Sequence, residues 1–351
     1  MKKIGLFSEG GAYHSTFMPL VNEFIKQETP ISYYTLDKQD KILKINSPYI
    51  KTFLLRKGFF GYLKFFLIEC DILLSTTPNI GCRGYPLLKP KKVDNLIHIF
   101  HSVSDVSIYR KGSLDFYDSV ILAGAFQKRS IRELEKQRSL KKKNLYKLGA
   151  PYIDSLISRR AGIKDISNKS PEVLVASSWG KKGCLRTYGI GFLEKLSTQF
   201  KVTVRPHPYS NKLEKGFIED CKNKLSASNI EWSESVDPSI SLNRADILIS
   251  DTSAIRFDFK ILYNKPVITL EIPAHNMKEY ERDFLQHDWI QFSDKLLGPV
   301  LNHSNINKLN QTVANLTAQT IAESNEYAET LLYNKGCSAQ GIVEFFANSS
   351  P

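Results

Sequence analysis

Two spacings of apolar residues alternate along the chain. Short continuous apolar runs, which are typical of buried strands, are separated by segments whose apolar residues recur three or four positions apart, which is typical of helices. In the first half the runs are KKIGLF (2–7), ISYYTL (31–36), DILLST (71–76), NLIHIF (95–100) and SVILAG (119–124). Helical spacing follows the first run, and a further helix is predicted from about Phe126. This alternation predicts a parallel sheet flanked by helices.

The same alternation begins again after a charged, turn-rich interval that ends near Pro171. Its strand-like runs are EVLVASS (172–178), KVTVRPH (201–207), DILIS (246–250) and PVITL (266–270), and its predicted helices lie near 188–199, 211–225 and 253–262. The sequence therefore predicts two α/β halves joined near residues 150–170, and 351 residues is the length of two such domains. The last stretch, about 305–349, is predicted to form helices that pack back across the first domain.

The composition is that of an ordinary globular protein, with 42% hydrophobic and 24% charged residues. The five cysteines are odd in number and show no CxxC spacing. Because the first predicted strand begins at residue 2, no signal peptide is expected, and the thiols are predicted to be free in a reducing cytoplasm. The histidines lack metal-ligand spacing apart from His98 and His101, whose side chains should point to opposite faces of a strand. Neither a metal nor another cofactor is expected.

The formal net charge of +12 favours an anionic partner, such as nucleic acid, an anionic membrane or a phosphate-rich substrate. Residues 128–147 contain nine Lys or Arg and two Glu, and residues 49–69 interleave Lys and Arg with Phe and Leu. No uncharged apolar run approaches the roughly eighteen residues that a spanning helix needs. The 49–69 stretch is predicted either to lie on a membrane as a basic helix or to be a core helix whose lysines reach solvent.

Three polar loops follow predicted strands of the second half. They are Ser177-Ser178-Trp179-Gly180-Lys181-Lys182, Arg205-Pro206-His207-Pro208 and Ser250-Asp251-Thr252-Ser253. Because the carboxyl ends of parallel strands lie on one side of a domain, these loops are expected to converge. A guanidinium, an imidazole and the unpaired N–H groups at a helix start can bind a diphosphate without a metal. Each loop alone also has a structural reading, so it is their convergence that favours a binding site.

Two loops of the first half also carry candidate groups. His101 follows a predicted strand, and an imidazole there can take a proton from an attacking hydroxyl at neutral pH. The alternative, a histidine that only bridges loop backbone, stays open. Glu9, Gly10 and Gly11 form a glycine turn after the first strand, but the chain lacks the GxGxxG pattern of a dinucleotide site there.

The segment from Trp232 to Ile268 resembles the signature region of the CDP-glycerol glycerophosphotransferase family. In that family a strand ends in Ser/Thr-Asp-x-Ser-Ser, an apolar helix with a Phe-Asp pair follows, and Lys-Pro precedes the next strand. The matching residues are Ser250, Asp251, Ser253, Phe257, Asp258, Lys265 and Pro266, with Ala254 in place of the second serine. Residues 148–154, 174–180 and 205–208 also resemble family motifs, so the resemblance runs in order over roughly residues 95–270.

The chain departs from the family after His101. The family motif His-Gly-Thr-Pro-Leu-Lys is replaced by His101-Ser102-Val103-Ser104-Asp105-Val106, which keeps the histidine and lacks the lysine. This difference concerns the acceptor more than the donor.

The resemblance implies two Rossmann-like domains of the glycosyltransferase-B type. Residues 1–152 would form the acceptor-side domain, 153–335 the CDP-donor-binding domain, and 336–351 a C-terminal segment packed on the first domain. The implied reaction moves glycerol phosphate from CDP-glycerol to a hydroxyl of a lipid-linked or oligosaccharide acceptor and releases CMP, in the synthesis of teichoic acid, capsule or O-chain polymers. A cytoplasmic protein, peripheral on the inner face of an anionic membrane, is expected.

The resemblance also assigns roles to residues. His101 is expected to be the general base, and His207 and Arg205 to steady the diphosphate and its departing charge. The donor-side residues are Ser178, Ser250, Asp251, Thr252 and Ser253, and the acceptor-side residues are Glu9, Gly10, Gly11 and His14. Asp251 and Asp258 are expected to orient the loop or contact the nucleotide, because a carboxylate beside a diphosphate repels it.

Other functions stay open at this point. A glycosyltransferase that uses a nucleotide sugar, a sugar-nucleotide epimerase and a transferase that uses CDP-ribitol would each place polar loops at the same strand ends. A non-catalytic anion-binding protein would also fit the charge. Nucleic acid is not an expected partner, because no recognised nucleic-acid module is found and the aromatic residues lie in apolar runs.

Overall fold

The structure is a computed structural model, and it describes residues 2–161, 171–235, 238–273, 279–285, 297–318 and 331–347. The chain divides into two compact units. Unit 1 comprises Met1–Ser158, Met277–His287 and Thr330–Pro351, and unit 2 comprises Arg159–Asn276 and Asp288–Glu329. The first boundary therefore lies a few residues beyond the predicted position at 152/153, because one continuous helix, Pro151–Ala161, crosses it.

Each unit is built on one sheet, and every neighbouring pair of strands is parallel. In unit 1 the strands are β1 (Ile4–Ser8), β2 (Ile31–Thr35), β3 (Ile50–Leu54), β4 (Glu69–Ser75), β5 (Lys92–Ile99), β6 (Ser119–Ile121) and β7 (Asn144–Tyr146), in the order β3-β2-β1-β4-β5-β6-β7. In unit 2 they are β8 (Glu172–Ala176), β9 (Lys201–Arg205), β10 (Ile230–Trp232), β11 (Ile247–Ser250), β12 (Val267–Leu270) and β13 (Val300–Leu301), in the order β10-β9-β8-β11-β12-β13.

Helices connect most of these strands. They are α1 (His14–Lys26), α2 (Phe59–Phe66), α3 (Phe126–Gln137), α4 (Pro151–Ala161), α5 (Cys184–Tyr188), α6 (Gly191–Ser197), α7 (Pro208–Leu213), α8 (Lys215–Lys224), α9 (Ser239–Arg244), α10 (Ile255–Tyr263), α11 (Leu309–Ala318) and α12 (Ser338–Ala347). Two predicted helices are each divided. The one near 188–199 is interrupted at Gly189, which has a positive φ of 68°, and the one near 211–225 is interrupted at Glu214, whose φ and ψ of −129° and 27° are not helical.

Unit 1 buries both faces of its sheet. Along β1, Ile4 and Leu6 pack on one face with residues of α1, whereas Phe7 packs on the other face with Phe65 of α2. Strands covered on both sides read as continuous apolar runs, which is why the sequence pattern identified them. The Rossmann-like architecture predicted for the first domain is therefore confirmed.

The 49–69 stretch is not the single helix that the sequence predicted. It forms edge strand β3, a turn through Arg56 and Gly58, which both have positive φ, then helix α2 and the first residue of β4. The alternation of buried Ile50 with exposed Lys51 and Phe53 is the period-two pattern of a strand covered on one face. Because the exposed side carries both a lysine and a phenylalanine, the alternation of apolar and polar residues is not visible in the sequence.

The two C-terminal helices belong to different units. In α12, Ile342, Val343 and Phe346 are buried against the α1 side of unit 1. The sequence placed about 305–349 as a whole across the first domain, but α11 belongs to unit 2, where Leu309 and Val313 are buried in the core. The prediction was therefore wrong for α11.

A short segment of the predicted donor domain also belongs to unit 1. Glu281 accepts a hydrogen bond from the backbone N–H of Gly112 at 2.9 Å and pairs with Arg138, and Lys111 pairs with Asp283 at 2.5 Å. These contacts join residues far apart in sequence, so hydrophobic periodicity carries no sign of them.

Unit 2 repeats the architecture of unit 1. Val173, Val202, Ile247 and Ile268, from four adjacent strands, are fully or almost fully buried in one hydrophobic core. The prediction of a second parallel sheet with flanking helices is confirmed. All five cysteines lie within the described residues and are free thiols. None of the described helices has the length and apolar character needed to cross a membrane.

Candidate functional site

The polar loops of unit 2 meet at one edge of its sheet. Strands β9, β8 and β11 are neighbours, and all three are parallel, so their carboxyl ends lie side by side. The loops that follow them begin at Pro206, Ser177 and Asp251, respectively. The structure therefore brings together the three loops whose convergence the sequence predicted.

Asp251 joins two of these loops. Its buried carboxylate accepts hydrogen bonds from the backbone N–H groups of Ser178, at 3.0 Å, and Cys184, at 2.8 Å. The hydroxyl of Ser177 lies 3.4 Å from the same carboxylate. Because these contacts occupy the carboxylate, Asp251 orients the loop after β8. This agrees with the expected orienting role and does not favour direct contact with a diphosphate.

Ser250 does not face the loop edge. Its side chain is fully buried, and its hydroxyl donates to the backbone carbonyl of Ala176 at 2.5 Å. This bond fastens β11 to β8. The prediction that the Ser250 side chain binds the diphosphate is therefore corrected, because this hydroxyl is fully buried and already donates to Ala176.

Thr252 and Ser253 lie at the start of α10. Thr252 is exposed and Ser253 partly exposed, and the Ser253 hydroxyl accepts from the N–H of Ile255 at 3.5 Å. Behind them lies Arg256, whose buried Nε donates to the carbonyl of Ser253 at 3.2 Å and whose Nη1 donates to Thr269 at 2.8 Å. Arg256 thus holds the loop from its buried side. Thr252 and Ser253 lie on the solvent side, at the positive end of the α10 dipole. The sequence analysis missed Arg256, although a charged residue within an apolar helix pattern was a signal.

Arg205 is more buried than its predicted role requires. Its Nη1 donates to the hydroxyl of Ser233 at 3.2 Å and to the carbonyl of Ser235 at 2.8 Å. The guanidinium therefore anchors the loop after β10. A buried guanidinium in this position can add positive charge near the site, but it is poorly placed to bind a diphosphate directly.

His207 caps the start of α7. Its Nδ1 accepts from the backbone N–H of Tyr209 at 3.1 Å, so the neutral ring carries its proton on Nε2. Burial lowers the pKa of His207, Asp251 opposes this shift, and Arg205 adds to it. Asp251 and Arg205 are thus both close enough to His207 to shift its pKa. At neutral pH His207 presents a neutral Nε2–H donor.

Aromatic rings stand beside His207. The ring of Tyr209 stacks on His207 with centroids 5.6 Å apart and meets Trp179 at 5.5 Å, and both Tyr209 and Trp179 are about half exposed. Glu214 holds the loop that carries Trp179 by accepting from the N–H of Gly180 at 2.9 Å. These faces could stack with a planar group such as a nucleobase. The sequence analysis noted Trp179 only as part of a motif and missed Tyr209.

In unit 1 the glycine turn lies after β1, at the carboxyl edge of the sheet. Gly10 has a φ of 146°, and a Cβ at this position would lie 2.9 Å from the Cβ of Asp37. The N–H of Gly11 donates to Asp37 at 3.2 Å. Glu9 accepts from the hydroxyl of Tyr85 at 2.9 Å, and burial raises the pKa of Tyr85, so the phenol remains the donor. The turn is therefore a fixed structure whose conformation requires glycine.

His101 lies after β5, the second neighbour of β1 in the sheet. Burial lowers its pKa to about 4, and its ring contacts Tyr13 edge-on at 5.0 Å. His98 lies within β5 itself, fully buried, with Nε2 3.1 Å from the hydroxyl of Tyr109. Burial lowers the pKa of His98 to about 3. Both imidazoles are thus neutral at physiological pH, and only His101 lies at the strand end.

The loop after His101, where the chain departs from the family motif, is fastened to α3. The buried carboxylate of Asp105 accepts from the N–H of Ser107 at 2.9 Å and from the hydroxyl of Ser130 at 2.8 Å. The amide of Gln127 donates to the carbonyl of Ser104 at 2.7 Å. The segment that replaces the family motif is therefore fixed by hydrogen bonds, and it fixes the backbone that follows His101.

Several buried polar atoms at this edge have no hydrogen-bond partner among the described residues. They are Nε2 of His14, the hydroxyls of Thr76 and Thr77, and Nδ1 of His101. Burial lowers the pKa of His14, with Asp40 opposing the shift, so the neutral ring is favoured. Buried polar groups are normally paired, so such a group of atoms at strand ends suits a hydroxyl-bearing ligand. The sequence analysis named His14 and His101 but missed the two threonines, which directly follow β4.

Within the described part of the chain, no group of three or more His, Cys, Asp or Glu side chains is arranged to hold a metal ion. The predicted absence of a metal stays a prediction. The site of unit 2 offers backbone N–H donors and the imidazole of His207.

Two Rossmann-like units with polar loops at their strand ends define a glycosyltransferase-B-like protein, and solved structures support this fold. The wall teichoic acid polymerase TagF matches 98% of this chain and 88% of its own, with 13% identity and a TM-score of 0.59. The UDP-GlcNAc 2-epimerase of Neisseria meningitidis matches 99% and 100%, with 14% identity and a TM-score of 0.62. A glycosyltransferase of Rickettsia africae matches 99% of each chain, with 12% identity and a TM-score of 0.62.

The family is narrower than the fold. Residues 109–346 match the CDP-glycerol:poly(glycerophosphate) glycerophosphotransferases. The chain belongs to this family, which confirms the resemblance found in the motifs. No curated protein matches the chain.

Proposed function

We propose that this protein transfers glycerol phosphate from CDP-glycerol to a hydroxyl group of a cell-surface polymer or its precursor, and releases CMP. The observation that carries the proposal is the loop edge of unit 2, where Asp251 joins two loops beside the helix start of α10 and the neutral imidazole of His207. Such an edge can bind a diphosphate without a metal. Family membership and the likeness to TagF, which has been solved after soaking with CDPG, support CDP-glycerol as the donor.

The proposed reaction is an in-line displacement at the phosphorus next to glycerol. The acceptor oxygen forms a new P–O bond, the bond from this phosphorus to the bridging oxygen breaks, and CMP leaves with the negative charge. Nε2–H of His207 and backbone N–H groups near Thr252 and Ser253 stabilise that charge. Positioning and charge stabilisation provide most of the rate in such a transfer.

The proton of the acceptor hydroxyl goes to His101. A pKa of about 4 keeps this imidazole neutral and able to accept a proton. The same low value makes it a weak base in the ligand-free protein. A phosphate group placed nearby would raise the pKa, because an anion stabilises the protonated ring. Proton transfer is then favoured only when the donor is bound.

The acceptor is proposed to be lipid-linked or an oligosaccharide, bound through the acceptor-side residues Glu9, Gly10, Gly11 and His14. The unpartnered hydroxyls of Thr76 and Thr77 extend this group with atoms that suit a hydroxyl-rich ligand. We place the protein at the cytoplasmic face of a membrane, since a lipid-linked acceptor would be presented there. Teichoic acid, capsule and O-chain polymers are the candidate products.

The test is release of cytidine and uridine nucleotides by the purified protein. CDP-glycerol, CDP-ribitol and UDP-sugars are supplied in turn with a crude lipid or oligosaccharide acceptor. CMP from CDP-glycerol alone is expected, with no loss of activity in EDTA. UMP or UDP from a UDP-sugar, or CMP from CDP-ribitol alone, would overturn the donor assignment. If no nucleotide is released, calorimetry with CDP-glycerol decides whether the protein binds this donor at all.

A further inference from the structure

Helix α2 turns an apolar face toward solvent. Phe59 and Phe60 are 76% and 77% exposed, the highest values for large apolar side chains within the described residues. Leu63 and Leu67, the residue directly after α2, are also exposed and follow Phe59 at intervals of four residues, so they continue the same side of the helix. Soluble surfaces carry single exposed apolar residues, but a contiguous group of this kind marks an interaction site.

The helix that carries the exposed face is packed against the rest of unit 1. Phe65, on the opposite side of α2, is fully buried and contacts Phe7 with ring centroids 4.3 Å apart. A Cβ on Gly61 would lie 1.7 Å from the carbonyl oxygen of Arg56, so the helix packs directly on the preceding turn. The turn itself needs the positive φ of 113° at Gly58. The fold thus holds Phe59 and Phe60 outward.

The patch continues onto the edge strand β3. Phe7, Tyr34 and Phe53 are register partners across β1, β2 and β3, so their side chains share the sheet face that α2 covers. Phe53 stacks on Tyr34 at 5.0 Å and is itself 42% exposed. Lys51 lies two residues earlier and therefore on the same face.

Cations surround this apolar patch. Lys51, Arg56, Lys57 and Lys64 are all exposed, from the strand, the turn and the helix, respectively. Of the nearby carboxylates, Glu69 is paired with Lys92 at 2.8 Å, and Asp37 lies in the field of Lys57. The patch therefore has an apolar centre and a net positive rim. An anionic lipid surface matches both features, because headgroup charge attracts the rim and the acyl boundary accepts the phenylalanines.

We propose that α2 and the exposed side of β3 form a docking surface for an anionic lipid bilayer. A second copy of the chain fits less well, because a two-fold contact would bring the four cations of one copy against those of the other. The choice of a membrane rests in part on the proposed function, since a lipid-linked acceptor would lie there. Docking is measured without donor or acceptor, so the two proposals can fail separately.

The test is co-sedimentation of the full chain with sucrose-loaded vesicles. One set contains phosphatidylcholine alone, and the other also contains about one third phosphatidylglycerol. The double variant Phe59→Ser/Phe60→Ser removes two aromatic anchors, and Lys57→Glu reverses one rim charge without touching the core. Leu213→Ser is the matched control, because Leu213 is an equally apolar side chain, 68% exposed, in unit 2.

Binding to anionic vesicles that weakens with salt is expected for the wild type and the control. The double variant should bind at least about tenfold more weakly, since two phenylalanine side chains would no longer move from water into the acyl boundary. Lys57→Glu should reduce binding to the anionic set only. Equal binding of the double variant and wild type would overturn the proposal. So would a dimer in sedimentation that the double variant abolishes without any change in vesicle binding.

Discussion

Replacing Asp251 by asparagine tests whether this carboxylate holds the loop edge of unit 2 together. The buried side chain accepts hydrogen bonds from Ser178 and Cys184, and Ser177 approaches it as well. Hydrogen bonds to a charged group contribute about 1.5–3 kcal/mol each. The N–H groups of Ser178 and Cys184 both donate to Oδ2, and the N–H of Ser178 also lies 3.2 Å from Oδ1. In Asp251→Asn the NH2 group therefore takes the place of Oδ1, where it faces the N–H of Ser178 and is a buried donor without a partner, and the two bonds to the remaining oxygen lose the charge of their acceptor. We expect a loss of about 2–4 kcal/mol in the free energy of unfolding of unit 2.

The assay is urea unfolding followed by tryptophan fluorescence. Within the described residues the tryptophans are Trp179 and Trp232, and both lie in unit 2, so the signal reports on that unit. Asp220→Asn is the matched control, since Asp220 pairs with Lys224 on the exposed side of α8, where the loss of one ion pair should leave the transition unchanged. Because the loops after β8 and β11 would no longer be joined, binding of CDP-glycerol by Asp251→Asn should also weaken by at least tenfold.

Two results would refute this reasoning in different ways. An unchanged urea midpoint would show that the carboxylate is not the structural link we describe. A normal midpoint and normal donor affinity with greatly reduced kcat would instead make Asp251 a catalytic group.

The remaining predictions concern the histidines. His101→Gln should abolish transfer and leave CDP-glycerol binding intact; in the wild type, kcat/KM should fall only below about pH 4–5, because the free imidazole is protonated there. His207→Ala and His207→Asn should both weaken donor binding in calorimetry, and Asn, which can still cap α7, should restore stability but not affinity. The folded pKa of His98, about 3, lies below the unfolded value, so urea stability should fall as pH drops from about 6.5 toward 4, and less steeply in His98→Phe.

The sequence predicted the inner strands because burial on both faces leaves continuous apolar runs. Strand β3 was missed for the opposite reason: it lies at the sheet edge, and its exposed side carries Lys51 and Phe53. The placement of 279–285 in unit 1 rests on pairs such as Arg138 with Glu281, which no local pattern shows. Hydrophobic periodicity therefore identifies strands and helices that are buried along their length. It does not identify segments whose position is determined by contacts with residues distant in sequence.

At the candidate site the sequence predicted three loops that the structure brings together, but it assigned individual side chains less well. Ser250 and Asp251 are adjacent in the motif, yet one fastens two strands and the other fastens two loops, and neither faces outward. A motif shows which positions matter without showing whether each acts on the ligand or on the fold. His207 was assigned to the donor side by its motif, and its tautomer became evident only from the N–H of Tyr209.

Arg256 suggests how the loop works although Ala254 lacks the hydroxyl of the family serine. The Nε of Arg256 and its backbone N–H both donate to the carbonyl oxygen of Ser253, at 3.2 and 3.3 Å, which holds that oxygen on the inner side of the turn. In a trans peptide the C=O and the following N–H point in opposite directions, so the same constraint aims the N–H of Ala254 outward. An anion at this edge would then be bound by backbone N–H groups whose direction is fixed by Arg256. A side-chain hydroxyl at position 254 is not required for that geometry, which is why its replacement by alanine is compatible with a diphosphate site.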